Sequence, residues 1–425
     1  MRDRARIVAV ASVVVVALGA AALWIGAPKP PVDAPPAAAR PFPAPEHWPG
    51  VRWQRVDAPV LEGAGTFLNE VTSHGPWIVG WGGSTVPDPA AEGGVRSMST
   101  LFTSNAGVDW QRREIRLATG EPFEPQLIAV GPVGFLAFGL RSGGNDVGLV
   151  AASANGEHWV ETGQPPVPPG SPLTATRTDF VTTGVVAGRP VVLSTSDGSA
   201  WAELPAPFGL GEYSLVDLRP TLDGFVVAGM VQRGQDWDGV IWRSASAGAW
   251  DDLAGDNPMF TGPDRGVAIW RTVPFAGGIF AMGGAGEIPE CQLGTARVAA
   301  LTPVIADHCG GPPAAAWASP DGRQWQEVEG PRPPGARLDR WPVIISITAG
   351  AAGLVALVEE APVRAGASVH GLWTSADGVD WSRIGDGAPI EPTSGSVTIV
   401  GLPGRIVALV RTGDGIVVWM GTPAG

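Results

Sequence analysis

A seven-residue string recurs along the chain and limits what it can fold into more than any other feature. It reads Ser375-Ala376-Asp377-Gly378-Val379-Asp380-Trp381 in one copy, Ser319-Pro320-Asp321-Gly322-Arg323-Gln324-Trp325 in another and Thr195-Ser196-Asp197-Gly198-Ser199-Ala200-Trp201 in a third. Weaker copies start at Ser153, with Asn155 in place of the acid, at Ser104, and at Ser244, where Ser246 replaces the acid. Asp-Gly or Asn-Gly supplies the positive φ values of a tight hairpin. The hydroxyl and the carboxylate can accept or share hydrogen bonds with backbone N–H groups inside the turn. Ser104, Ser153, Asn155, Thr195, Asp197, Ser319, Asp321, Ser375 and Asp377 are therefore expected to be structural. Trp then buries a large apolar face where the next strand begins.

Each turn follows an apolar strand, such as Val240-Ile241-Trp242 or Ala315-Ala316-Trp317. Upstream lies a second apolar strand opened by Gly, as in Gly134–Gly139, Gly224–Gly229 and Gly278–Gly283, and ahead of that a third, as in Ser214–Leu218. With the segment after Trp, each unit has four short strands, the make-up of a propeller blade. The Trp-to-Val spacing of three in Trp325–Val328 is odd for a flat strand and predicts a bulge or strong twist. Repeat tryptophans at 53, 110, 159, 201, 250, 325 and 381 give seven blades. The last unit reaches Ile416–Trp419, the strand before a turn, while Val51–Val56 looks like the strand after one. The two are expected to share the final blade and close the ring, leaving no long exposed edge. The expected fold is thus an all-β, seven-bladed propeller of four-stranded antiparallel blades over residues 50–425. Composition agrees: 60 Gly and 42 Pro exclude a helical bundle, and 44% hydrophobic residues with 18 Trp exclude a disordered chain.

The string Ser/Thr-x-Asp-Gly-x-x-Trp resembles the Asp-box repeat, one residue shorter than its commonest form. Asp-box (BNR-like) propellers include sialidases, sortilin-type receptor domains and photosystem assembly factors. The resemblance implies that the boxes sit on peripheral hairpins away from the central funnel. A sialidase-like activity would imply three arginines on a substrate carboxylate, a Tyr nucleophile assisted by Glu, and an Asp acid/base. The matching residues here are Tyr213, the one Tyr of the chain, with Glu212, and Asp179 or Asp217; Arg177, Arg219 and Arg271 lie near inner strands. Asp179 and Asp217 could also act as an acid/base pair if close in space. The sequence departs from sialidases in lacking an Arg-Ile-Pro segment and in having seven units, not six. The other implied class is a non-catalytic module that binds or scaffolds protein or glycan, with Glu70, Asp179, Asp217, Arg271 and Ser346 pointing into the channel.

The N-terminus gives the address. Arg2, Arg4 and Arg6 precede Ile7–Gly26, twenty residues without charge, which is the length of a bilayer-spanning helix. Residues 1–27 are expected to anchor the chain, N-inside, with the remainder outside the cytoplasm; a cleaved signal peptide and a secreted body is the rival. Residues 28–49 hold nine Pro and read as an extended spacer. Beyond residue 45 there are 23 basic against 39 acidic residues, so nucleic acid is an unsuitable partner. Cys291 and Cys309 are expected to pair as a disulfide within an insertion of the fifth blade, with a metal or redox site as the alternative. No metal motif, phosphate loop or nucleophile elbow is present, and five scattered His form no ligand set, so neither metal nor cofactor is expected.

Overall fold

The computed structural model describes residues 47–424, apart from 142–147, 287–313, 332–342, 361–368, 387–395 and some shorter stretches. Every described residue belongs to one compact unit within residues 40–425. Residues 7–26, Cys291 and Cys309 lie outside the described residues, so the anchor and the disulfide do too. Among the described residues no helix is long and apolar enough to cross a membrane.

Among the described residues, 28 strands form seven four-stranded antiparallel sheets. Blades one to six span residues 67–114, 123–163, 173–204, 212–252, 266–328 and 343–386 in chain order. The seventh holds Val397–Leu402, Arg405–Thr412, Gly415–Pro423 and, outermost, Val51–Val56, paired from Val51↔Pro423 to Val56↔Val418. The expected closure is therefore present. The first strand of each blade touches the first strands of its two neighbours, round an unbroken ring from blade one to blade seven and back. These first strands surround the channel. Trp48, at the end of the expected spacer, is buried between blades six and seven, so the packed body already includes it.

The core is a ring of apolar layers between blades. Each repeat Trp lies in the layer shared with the preceding blade: Trp110 with Val407 and Leu409, Trp201 with Leu136 and Phe138, Trp381 with Phe280 and Ala318. Trp53 does the same across the closure, beside Leu357 and Leu372, and its indole N–H donates to the Asp386 carbonyl at 3.3 Å. Spreading the indoles over every interface makes neighbouring blades depend on one another for burial.

The turns use the expected groups. The N–H of Gly378 donates to Ser375 Oγ at 2.8 Å, and those of Val379 and Asp380 donate to Asp377 Oδ1 at 2.8 and 3.0 Å. Thr195 and Asp197 repeat the pattern, as do Ser153 and Asn155; Ser319 donates to Asp321, which accepts from the N–H groups of Arg323 and Gln324. Ser104 differs: its buried hydroxyl has no hydrogen-bond partner, and Ala106 and Gly107 close that hairpin with φ of 56° and 77°. The glycines serve packing as well as φ. A Cβ on Gly198 (φ 81°) would come within 2.5 Å of Leu136, and one on Gly378 (φ 81°) within 2.9 Å of Ala318, both on the preceding blade. The odd Trp-to-Val spacing has two causes: the expected bulge is present in the outermost strands of blades two and six, where the pairing skips Thr162 and Ile384, and the repeat Trp itself stands before the strand. Trp201, Trp325 and Trp381 end the turn, and the strands begin after them at Ala202, Gln326 and Ser382.

Candidate functional site

Bulges also occur on the innermost strands. In blades one, two, four, five and six the pairing of the first strand slips by one residue, at Leu68/Glu70, Pro125/Leu127, Leu215/Asp217, Ile269/Arg271 and Ile344/Ser346. The second strand matches this with a Gly in four of the five. A Cβ on Gly82, Gly139, Gly229 or Gly283 would lie 1.9–2.3 Å from the carbonyl oxygen of Phe67, Glu124, Ser214 or Ala268. Blade six carries Val358 there, opposite Ile344. A bulge re-aims the side chain that follows it. Those residues are Glu70, Leu127, Asp217, Arg271 and Ser346, so four of the five sequence-derived channel candidates occupy one equivalent position.

Glu70 from blade one, Asp217 and Arg219 from blade four and Arg271 from blade five share one electrostatic cluster. Burial raises the Glu70 carboxyl above its ordinary range; Arg219 most, then Trp81 and Arg271, oppose the shift, and Asp217 adds to it. The Trp81 indole N–H acts on Glu70 electrostatically but falls short of hydrogen-bond geometry. Arg219 donates from Nε to Asp217 Oδ1 at 2.8 Å, and Asp217 raises its basicity. The Arg219 side chain keeps 37% of its surface open, against 4% for Asp217, so the cluster is deep but reached by solvent through the channel. Burial first, then repulsion from Arg219, brings Arg271 down to about 10. Its Nη2 lies 3.5 Å from the Ile347 carbonyl, and its buried Nε has no acceptor.

Asp217 and Ser346 are committed to joining blades. Asp217 Oδ2 accepts from the N–H and the hydroxyl of Thr272. Ser346 Oγ accepts from the Ile399 N–H at 3.1 Å. Glu70, Arg219 and Arg271 keep hydrogen-bonding capacity in reserve.

Asp179 is not on an inner strand. It sits in the turn between Leu173–Ala175 and Phe180–Val186, where its carboxylate accepts from the Thr178 hydroxyl at 2.6 Å. The inner strand of blade three is only three residues long and ends before it. The described contacts bring Asp179 to neither Asp217 nor the arginines, and Arg177 is exposed in the same turn. Tyr213 packs on Phe208 and Trp242, with ring centroids 5.4 and 5.8 Å away, and its hydroxyl accepts the Gly209 N–H at 3.0 Å. Glu212 is exposed beside it. These contacts do not bring Tyr213 to the channel cluster. Trp81, Trp270 and Thr272 were not singled out by the sequence; the Gly that four second strands place opposite the bulge, Gly82, Gly139, Gly229 and Gly283, was the available signal. Among the described residues no group of His, Cys, Asp and Glu could hold a metal ion.

Fold and site together define a seven-bladed β-propeller with a charged central channel. No family model and no curated protein matches the chain. Solved structures of similar fold include a catalytically inactive virginiamycin B lyase from Staphylococcus aureus, 12% identical over 88% of this chain and 99% of that one, with a TM-score of 0.45. A Trypanosoma rangeli sialidase in complex with sialic acid is 12% identical over 88% of this chain and 59% of its own, with a TM-score of 0.37. The β-propeller domain of Cps50 (Swd1) from Myceliophteria thermophila is 9% identical over 88% and 100%, with a TM-score of 0.42. Likenesses this distant say nothing of activity.

Proposed function

We propose that the chain is a non-catalytic binding propeller of the cell envelope, held on the outer face of the membrane by residues 7–26 and taking a protein or glycan partner at its channel. The repeat turns are of Asp-box type in this reading. The observation that carries it is the convergence of Glu70, Arg219 and Arg271, from three blades, with donors left uncommitted. An acidic body on a Pro-rich spacer suits an extracytoplasmic receptor more than a nucleic-acid binder. The commitments of Tyr213 to Trp242 of its own blade and to Gly209 just before it favour binding over sialidase-like hydrolysis.

A photo-crosslinking residue placed at Trp270 in intact cells should capture one discrete glycan or protein. The same residue at Val160, exposed on an outermost strand, should not. Equal capture at both positions would refute a channel site. Turnover of a fluorogenic sialoside by the purified chain, lost in Tyr213→Phe, would refute the non-catalytic assignment.

A further inference from the structure

We propose that Asn155 is a self-processing site: in the folded protein its side-chain amide is lost as ammonia and the position becomes aspartate, the acid that the repeats at Asp197, Asp321 and Asp377 already carry. The step consumes water and no other reagent, and it is independent of what the channel binds.

The sequence sets this residue apart. Of the five asparagines, Asn69, Asn105, Asn145, Asn155 and Asn257, only Asn155 is followed by Gly. A following Gly has no Cβ to block the approach of its backbone nitrogen to the Asn side-chain carbon Cγ. Asn257 precedes Pro258, whose nitrogen carries no proton to give up. Asn105 precedes Ala106 in a weaker repeat, where the buried Ser104 hydroxyl has no hydrogen-bond partner.

The folded turn sets a polar group on each atom that must change. The Gly156 N–H, whose nitrogen is the nucleophile, donates to Ser153 Oγ at 2.9 Å. Ser153 in turn donates its hydroxyl to Asn155 Oδ1 at 3.4 Å, and the His158 backbone N–H donates to the same oxygen at 3.3 Å. One hydroxyl thus links the proton that leaves the nitrogen to the oxygen that gains charge under attack. A further contact comes from the outermost strand of blade one, where Arg113 Nη1 donates to the Asn155 backbone carbonyl at 3.1 Å. That carbonyl belongs to the peptide whose N–H must ionise, so the guanidinium stabilises the charge left when the proton departs. Asn155 and His158 are exposed, so water reaches the side-chain carbon.

The chemistry runs in two stages. In the first, the Gly156 nitrogen bonds to Asn155 Cγ, its proton passes to Ser153 Oγ, and the Ser153 proton passes to Oδ1. The bond from Cγ to the amide nitrogen then breaks with its electron pair, the Oδ1 proton goes to that nitrogen, and ammonia leaves a five-membered imide. In the second, water adds to Cγ and the bond from Cγ to the Gly156 nitrogen breaks. One water proton returns to that nitrogen and the other ends on the new carboxyl, which ionises. Opening the ring at the backbone carbonyl instead would give isoaspartate and lengthen the main chain by one carbon. The turn resists this, because Gly156 sits at φ 74° with its Cβ position 2.9 Å from Leu101 and 3.4 Å from Phe135. The aspartate keeps the His158 N–H, as Asp377 keeps those of Val379 and Asp380.

Peptide mass spectrometry on the freshly made full chain in mild detergent, held at neutral pH in water enriched in oxygen-18, tests this. The peptide holding position 155 should lose its amide and gain one heavy oxygen, about tenfold or more faster than the same chain in urea. Ser153→Ala should slow the conversion about tenfold or more, and Ser153→Thr, which restores the hydroxyl, should recover it. Arg113→Gln, which leaves the turn intact, should slow it about threefold, the weight of an exposed charge. Aspartate should exceed isoaspartate in the folded chain. The near-ultraviolet spectrum of the tryptophans verifies that each variant is folded. If the parent is isolated already converted, amide retained in Ser153→Ala and Arg113→Gln supports the same reading. Conversion no faster in the folded chain than in urea, an unchanged rate in folded Arg113→Gln, or isoaspartate as the main product would overturn the proposal. So would faster conversion in Ser153→Ala, since the hydroxyl would then only hold the turn shut.

Discussion

Asp217 Oδ2 accepts two hydrogen bonds from Thr272, one from its backbone N–H at 2.7 Å and one from its hydroxyl at 2.6 Å. The residues lie on the innermost strands of blades four and five, so one carboxylate joins two sheets and also holds Arg219. Removing the carboxylate orphans a buried N–H and a guanidinium, whereas removing the Thr hydroxyl costs a single bond. Asp217→Ala should destabilise by about 2–4 kcal/mol and Thr272→Val by about 1 kcal/mol. Urea unfolding followed by tryptophan fluorescence gives both values. Equal effects would mean that Asp217 does not bridge the blades.

Glu70 gives a pH signature. Its carboxyl is raised in the folded protein, so the folded state holds the proton more tightly than the unfolded chain. Stability is then lost as pH rises from the ordinary value of 4.5 through the raised folded value. Glu70→Gln should melt at a higher temperature than the parent at pH 7.5, and the gap should close below pH 4.5. A gap of opposite sign at pH 7.5 would mean that the arginines outweigh burial.

The bulge glycines should tolerate no side chain. Gly229→Ala and Gly283→Ala place a methyl about 2 Å from a backbone carbonyl and should each cost about 2 kcal/mol or more. Gly413→Ala is the control, since nothing lies within 4 Å of its Cβ position. Thermal melts of the three variants compare them directly.

The repeat turns should be acid-sensitive. The Asp197 carboxyl is lowered, chiefly by the Ser199 backbone N–H; burial raises Asp377, but donors from Asp380, Val379 and Ser375 together outweigh it. Such groups contribute stability that is present above the ordinary value of 3.8 and lost as pH falls through the lowered one. Replacing both by Asn should lower stability at pH 6 and flatten its decline between pH 4 and 2, as followed by circular dichroism. An unchanged acid transition would remove the carboxylates from the account.

The ring was legible in the sequence because a blade repeats its chemistry. Trp201 and Trp381 each need a preceding blade to cover them, and Asp197-Gly198 and Asp377-Gly378 each need the same turn. The channel was only half legible. Glu70, Asp217, Arg271 and Ser346 could be placed on inner strands, but which of them would be spent on a neighbouring blade depends on register, as Thr272 shows for Asp217. Asp179 was misplaced because Leu173–Ala175 ends sooner than the other inner strands. Trp270 escaped notice because a bulge residue obeys neither face of the strand's alternation.

The pairing of Val51–Val56 with Gly415–Pro423 joins segments more than 350 residues apart. Such a contact cannot form until nearly all of the intervening chain has been made, so six blades must wait with an unfinished seventh beside them. Until that strand docks, Trp53 has no layer to enter and the long strand Gly415–Pro423 offers a bare edge to any passing chain. A single late zipper thus decides whether the newly made protein becomes a closed disc or seeds aggregation, and a cut within it would cost more than its length suggests.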